Sequence, residues 1–213
     1  MARTADEASF WDRMARKYAA HTISDMAGYE KTLERTRGLL RSSDIVFEFG
    51  CGTGTTALRL APDVARIVAT DISGGMIAIA KEKAAAEGCN TIAFEQGGLP
   101  DAARPGSSFD AVLAFNVLHL VADRKSALAD IYRLLKPGGL FISKTPCLSE
   151  MNPLIRLAVP VARFFGKAPH VEFFTSSQLE EDIASVGFAI LARESHASKG
   201  KDTRPFFVAQ KAG

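Results

Sequence analysis

Ile45-Val-Phe-Glu-Phe-Gly-Cys-Gly-Thr-Gly54 is the stretch on which the fold turns. Its first half is a short apolar run rich in β-formers, entered from Ser42, Ser43 and Asp44, and it predicts a strand buried on both faces. Its second half sets glycines at 50, 52 and 54, where the chain must turn sharply, and Thr53 to Leu60 then predicts a helix. A strand, a glycine turn and a helix start together make a place where a ligand can touch backbone. Unpaired N–H groups and the positive end of the helix dipole face it.

Outward from this turn the same alternation repeats. Strands are predicted at 65–70, 91–95, 109–115 and 140–144, with helices at 75–87 and 125–135 between them, the latter closed by Lys136-Pro-Gly-Gly139. Alternating strands and helices imply right-handed βαβ units and a mostly parallel sheet covered on both faces. Ser176 to Val186 reads as a further helix capped by Thr175 or Ser176. Runs 188–192 and 205–209 read as two last strands, joined by a polar loop whose length suits an antiparallel hairpin. Upstream, residues 7–41 carry apolar residues at helical spacing (Phe10, Trp11, Met14, Tyr18, then Ile23, Met26, Tyr29, Leu33), with Asp25 as a cap and Gly38 near an end. The expectation is a single α/β domain: a doubly wound, seven-stranded, mostly parallel sheet with its last strand antiparallel. Residues 1–43 form a helical cap, 44–145 the ligand-binding core, 146–175 a lid-like insert, and 176–213 a helix and hairpin.

Composition narrows the class. Apolar residues make up 47% of the 213 and charged residues 23%, and the net charge is +2. This is a globular balance, too weakly basic to argue for a nucleic-acid partner. Three cysteines, Cys51, Cys89 and Cys147, lie far apart, without the spacing of a zinc site or a disulfide framework. With no apolar leader in the first residues and no run of bilayer length, a cytoplasmic protein is expected, with no membrane span and no metal.

Three ligand classes compete for the glycine turn. A P-loop needs a lysine after its glycines, and none follows. A dinucleotide fingerprint needs a third glycine where Thr55 stands. S-adenosylmethionine has no pyrophosphate but does carry an ammonium and a sulfonium, so Glu48 at the strand end makes electrostatic sense beside it. Asp71, ending the second strand, can accept both hydroxyls of a ribose, a feature that S-adenosylmethionine and NAD share.

With these residues in place, the stretch 45–145 resembles the class I S-adenosylmethionine-dependent methyltransferases. Their E/DxGxGxG turn is matched by Glu48, Gly50, Gly52 and Gly54, and their second-strand acid by Asp71. A Ser-x-x-Met stretch is matched by Ser73 to Met76, FDxV by Phe109 to Val112, and LKPGG by Leu135 to Gly139. The resemblance implies S-adenosylmethionine as cofactor and S-adenosylhomocysteine as product. The cofactor would be held by Glu48, Gly50, Cys51, Gly52, Gly54, Asp71, Ile72, Met76, Gln96, Gly97, Gly98, Asn116 and Val117, with Tyr18 of the cap closing over it. One departure stands out: the acid that often follows the third strand is replaced by Glu95-Gln-Gly-Gly98, leaving Gln96 or the backbone at 97 and 98 for the adenine.

His119 is the candidate general base, with a structural histidine packed under the cofactor as the competing reading. Cys51 reads as a small turn residue rather than a nucleophile. Methyl transfer needs alignment and a dry site more than acid–base groups. The NPPY-type segment of nucleic-acid and glutamine methylation is absent at Asn116-Val-Leu-His119. A small, apolar or aromatic acceptor is therefore expected, acted on by a monomer or homodimer. An RNA or protein methyltransferase and a non-catalytic adenosylmethionine-binding protein are the alternatives.

Overall fold

The computed structural model describes residues 2–99, 107–200 and 202–213, with side chains from residue 5 onward. Pro100, at the end of the segment after the third strand, and Lys201 of the hairpin loop lie outside the described residues. The sheet consists of β1 (Ile45–Phe49), β2 (Arg66–Asp71), β3 (Ile92–Gln96), β4 (Phe109–Phe115), β5 (Leu135–Lys144), β6 (Phe188–Glu194) and β7 (Phe206–Lys211). Their order is β3-β2-β1-β4-β5-β7-β6. The first five are parallel, and β7 inserts antiparallel to both β5 and β6. The expected doubly wound, seven-stranded α/β sheet with an antiparallel last strand is the observed fold.

The two sheet faces bury separate cores, because alternate side chains of each strand point opposite ways. One collects Phe47, Val112, Phe141 and Phe207 under α5 (Arg124–Leu134) and α7 (Ser176–Ser185) through Leu128, Ile131, Leu179 and Ile183. The other collects Val46, Leu113, Ile142 and Val208 under α2 (Met26–Arg37), α3 (Thr55–Leu60) and α4 (Gly74–Ala86) through Leu33, Leu58, Ile77 and Ala80. β1 and β4 are apolar nearly throughout because both faces are covered.

Helix limits follow local chemistry. Asp25 accepts from Gly28 N at 2.9 Å and starts α2. Ser73 caps α4 by accepting from Met76 N. Thr175, not Ser176, caps α7, in a reciprocal capping box with Gln178. Two differences from the sequence reading are physical. The glycine turn delays α3 to Thr55, because Gly54 stays left-handed at φ 73°. Lys136 to Gly139 does not form a free turn but is the bulged start of β5: Leu135 pairs with Phe109. The Lys136 ammonium bonds both Asp110 oxygens at 2.8 and 2.9 Å, and Asp110 also accepts from Ile45 N. The FDxV and LKPGG stretches thus tie β1, β4 and β5 together at the end of the sheet away from the glycine turn.

The residues expected to form a cap hold α1 (Ala2–Ala19) followed by α2. α1 lies on the start of α4: Asp12 accepts from Ser73 Oγ at 2.6 Å and from Gly75 N at 2.9 Å. The insert contains α6 (Leu154–Phe164), and past it His170 N donates to both oxygens of Glu7 in α1.

Candidate functional site

The carboxyl ends of β1, β2, β3 and β4 meet where the strand order reverses between β1 and β4, the crevice in which doubly wound sheets bind ligands. Gly50, Gly52 and Gly54 all have positive φ (69°, 54° and 73°), but they do different jobs. A Cβ on Gly50 would sit 2.4 Å from Val117, and one on Gly54 2.7 Å from the Phe94 ring, so both are glycines because core side chains occupy that space. A Cβ on Gly52 would meet only the Tyr18 ring, at 3.8 Å. Gly97 and Gly98 likewise border open space. The structure therefore presents a backbone cradle at Gly52, with Gly97 and Gly98 on the β3 side.

Two carboxylates bound this cradle. Asp71 accepts from Gly52 N through one oxygen and from Ser73 N through the other, both at 2.9 Å, so it fixes the turn as well as ending β2. Burial raises its pKa against the pull of those two N–H groups. Glu48 is 2% exposed; it accepts from Ala57 N, while its Oε2 is buried with no hydrogen-bond partner. Burial, and next the charge of Asp71, push its pKa up to about 8. Cys51 is buried beside both acids, which with burial drive its thiol pKa far up and make it inert.

The remaining expected residues are arranged around these. Gln96 Nε2 donates to Ile72 O at 3.2 Å, Gly97 N to Asp71 O at 2.9 Å, and Thr70 Oγ1 to Gly98 O at 3.1 Å, closing a wall between β2 and β3. Met76 is buried in α4. Asn116 holds a left-handed φ of 54°, a conformation asparagine tolerates, with its N–H on Lys144 O. Tyr18 is half-exposed, its ring over Gly52, and its hydroxyl pKa is raised by burial and then by Asp71. His119 lies in the turn after β4. Its Nδ1 is buried without a partner, burial lowers its pKa to about 4, and its carbonyl accepts from Glu172 N of the insert.

Sequence reasoning missed Asp12 and Glu7. Asp12 lies one helical turn before Ala15 and both meet Gly75, but nothing in the pattern of the first helix marks which strand–helix turn it faces.

Glu48 gives the free protein a pH signature. Folded, it holds a proton up to about 8, whereas unfolded it releases it near 4.5, so its contribution to stability falls as pH rises between those values. His119 acts oppositely, since the unfolded chain binds its proton up to 6.5 and the folded chain only below about 4. Above 6.5 Glu48 is no longer opposed by it. The thermal midpoint of the ligand-free chain is expected to fall from pH 6.5 to about pH 8.5. Glu48→Gln should flatten that decline, and an equal drop in the variant would refute the assignment.

Comparison with known proteins agrees with this geometry. Residues 46–139 match the methyltransferase domain family. The chain is similar to a demethylmenaquinone methyltransferase of Symbiobacterium thermophilum, 31% identical over 154 residues, which are 68% of this chain and 59% of that protein. It is also similar to a ubiquinone biosynthesis O-methyltransferase of Azorhizobium caulinodans, 30% identical over 149 residues, 67% of this chain and 58% of that one. The chain spans about half the length of the curated relatives it matches. Its fold superposes on the YcgJ protein of Bacillus subtilis with a TM-score of 0.69 at 17% identity, over 86% of this chain and 99% of that one.

Proposed function

We propose, from the premise that this chain belongs to the class I S-adenosylmethionine-dependent methyltransferases, that it transfers a methyl group to a small, apolar or aromatic acceptor. The observation that carries the reading is the acid pair at the cradle. Glu48 with an orphaned buried oxygen, and Asp71 beside the open Gly52, suit a ligand that is cationic at one end and carries a ribose. Asp71 repels a pyrophosphate, and Glu48, which holds a proton in the free protein, would give it up only beside a cation. The donor set therefore fits S-adenosylmethionine, which supplies, when bound, an electrophilic methyl on a sulfonium.

The chain's own contribution is placement. Asp71 takes the ribose hydroxyls with the oxygen lone pairs left after Gly52 and Ser73. Glu48 faces the charged amino-acid portion, and the wall at Gln96 to Gly98 borders the adenine. Tyr18 covers the turn and keeps water from it. Holding acceptor and methyl in line supplies most of the acceleration, because the leaving group departs neutral and needs no acid. His119, neutral throughout the working range, shapes the pocket beneath the cofactor and does not serve as a strong base. The insert would bound the acceptor side, and its Phe174 is buried in the same core as Val117 and Leu118. Relatives named for demethylmenaquinone and for ubiquinone biosynthesis support an apolar acceptor.

Calorimetry should show S-adenosylhomocysteine binding and no NAD binding. Methyl-labelled cofactor offered with quinols, phenols, acyl thioesters, RNA and protein should label a small molecule. NAD binding without S-adenosylhomocysteine binding refutes the cofactor, and label confined to RNA or protein refutes the acceptor class.

A further inference from the structure

Among the described residues, five of the eleven exposed large hydrophobics fall on α6 and its C-terminal cap: Leu154, Leu157, Val161, Phe164 and Phe165. Singly exposed apolar residues need no explanation, but a contiguous stripe does. The spacing of three and four residues sets these side chains along one side of the helix, over roughly 16 Å. Phe164 and Leu157 are 86% and 71% exposed, so this side faces away from the body of the protein. Ile155, Val159 and Ala162, on another side, are the partly covered residues of the helix.

Charge decides between the occupants of such a face. Residues 151–171 contain Arg156, Arg163 and Lys167 and no aspartate or glutamate, and the acids at either end, Glu150 and Glu172, are engaged within the chain by Ser176 N and by His170. Arg156 and Arg163 lie on one flank of the stripe, held by Ser149 and by Glu7 respectively, and Lys167 follows just past its end. A second copy of the chain, meeting this face across a two-fold axis, would bring the same cations against one another with no acid in the segment to pair them. A surface that is apolar beneath and anionic at its rim matches both features. No helix among the described residues is long and apolar enough to cross a membrane, so the fit is to a helix lying in the interface plane.

We infer that α6 is an interfacial anchor: Leu154, Leu157, Val161, Phe164 and Phe165 enter the acyl boundary of an anionic lipid surface while Arg156 and Lys167 engage the headgroups. The anchor is tied to the rest of the protein by Arg163 and His170 on Glu7 of α1, and by Glu172 N on the carbonyl of His119. Docking therefore places the cap and the insert, which flank the candidate site, against the lipid.

Flotation of the whole chain with vesicles of equal phosphatidylcholine and phosphatidylglycerol tests this. The wild type should float with them, and far less with phosphatidylcholine alone or at high salt. Leu157→Glu/Phe164→Glu should cut the bound fraction by about tenfold or more. Arg156→Gln and Lys167→Gln should each weaken binding by about fivefold. Because these side chains are exposed, S-adenosylhomocysteine binding should persist in every variant, which separates loss of the anchor from loss of the fold. A wild type that does not float, or a glutamate variant that floats as well, overturns the inference. So does a dimer in sedimentation velocity that the glutamate variant disperses while the wild type ignores vesicles, which would assign the face to a second copy.

Discussion

Gly52→Val is expected to remove S-adenosylhomocysteine binding while the sheet stays folded. At φ 54° a side chain is strained by roughly 1–2 kcal/mol. That strain is present with or without ligand, so it lowers stability and leaves the binding constant nearly alone. Binding is lost through space. A Cβ has room in the free protein, since only Tyr18 lies within 4 Å of it, and the methyl groups beyond it are expected to enter the volume in which a ligand would approach the backbone. We expect affinity to drop by at least about a hundredfold, near 2.7 kcal/mol. Gly50→Ala and Gly54→Ala are the controls. Their Cβ atoms overlap Val117, and Phe94 with Ala80, so they should depress the melting temperature before they alter affinity. Calorimetry beside thermal melting separates the two behaviours. A Gly52→Val protein that binds within threefold of wild type (about 0.65 kcal/mol) would move the cofactor off this turn.

That division among three glycines could not be read from their spacing. The turn, the two acids and the strand–helix alternation are local, so the sheet and the place of the cradle were legible in the sequence. What decides whether a glycine serves packing or a ligand is a contact with Val117, 67 positions beyond Gly50, or with Phe94, and periodicity carries no such information. The same holds for the cap. Trp11 and Tyr18 announce an amphipathic helix, but Asp12 acquires meaning only when α1 is laid on the start of α4 and its carboxylate reaches Ser73 and Gly75. LKPGG was legible as the stop of the helix before it, which ends at Leu134, but not as the start of a strand. Leu135 pairs with Phe109 and Lys136 binds Asp110, contacts with another strand that the motif itself does not announce. The insert shows the reverse case. Its apolar content was plain and read as a lid, with a contact surface or simple core as the other readings, but which residues turn outward depends on how α6 is rotated.

Asp71→Asn should damage cofactor binding at least as severely as Asp71→Ala, although asparagine is the closer shape. Each oxygen of Asp71 already accepts a backbone N–H, one from Gly52 and one from Ser73. An amide has a single accepting oxygen, so whichever way it is turned its NH2 points at one of those donors. The result is an N–H opposed to an N–H in a largely buried place, where an unmet donor costs about 1–3 kcal/mol. The turn can relieve that clash only by moving Gly52, the residue whose backbone forms the cradle. Alanine leaves the two N–H groups unmatched but lets water reach them from the cradle side. On the proposed function both variants would also lose the bonds to ribose hydroxyls, each worth about 1.5–3 kcal/mol when the acceptor is charged. Losses of about a hundredfold or more are therefore expected for both. Their order carries the argument: asparagine binding appreciably better than alanine would mean that Asp71 does not organise Gly52. Glu48→Gln provides the contrast. Glu48 is protonated below about 8 in the free protein, so a neutral amide replaces a group that is already neutral there, and S-adenosylhomocysteine affinity at low pH should change far less than with either Asp71 variant.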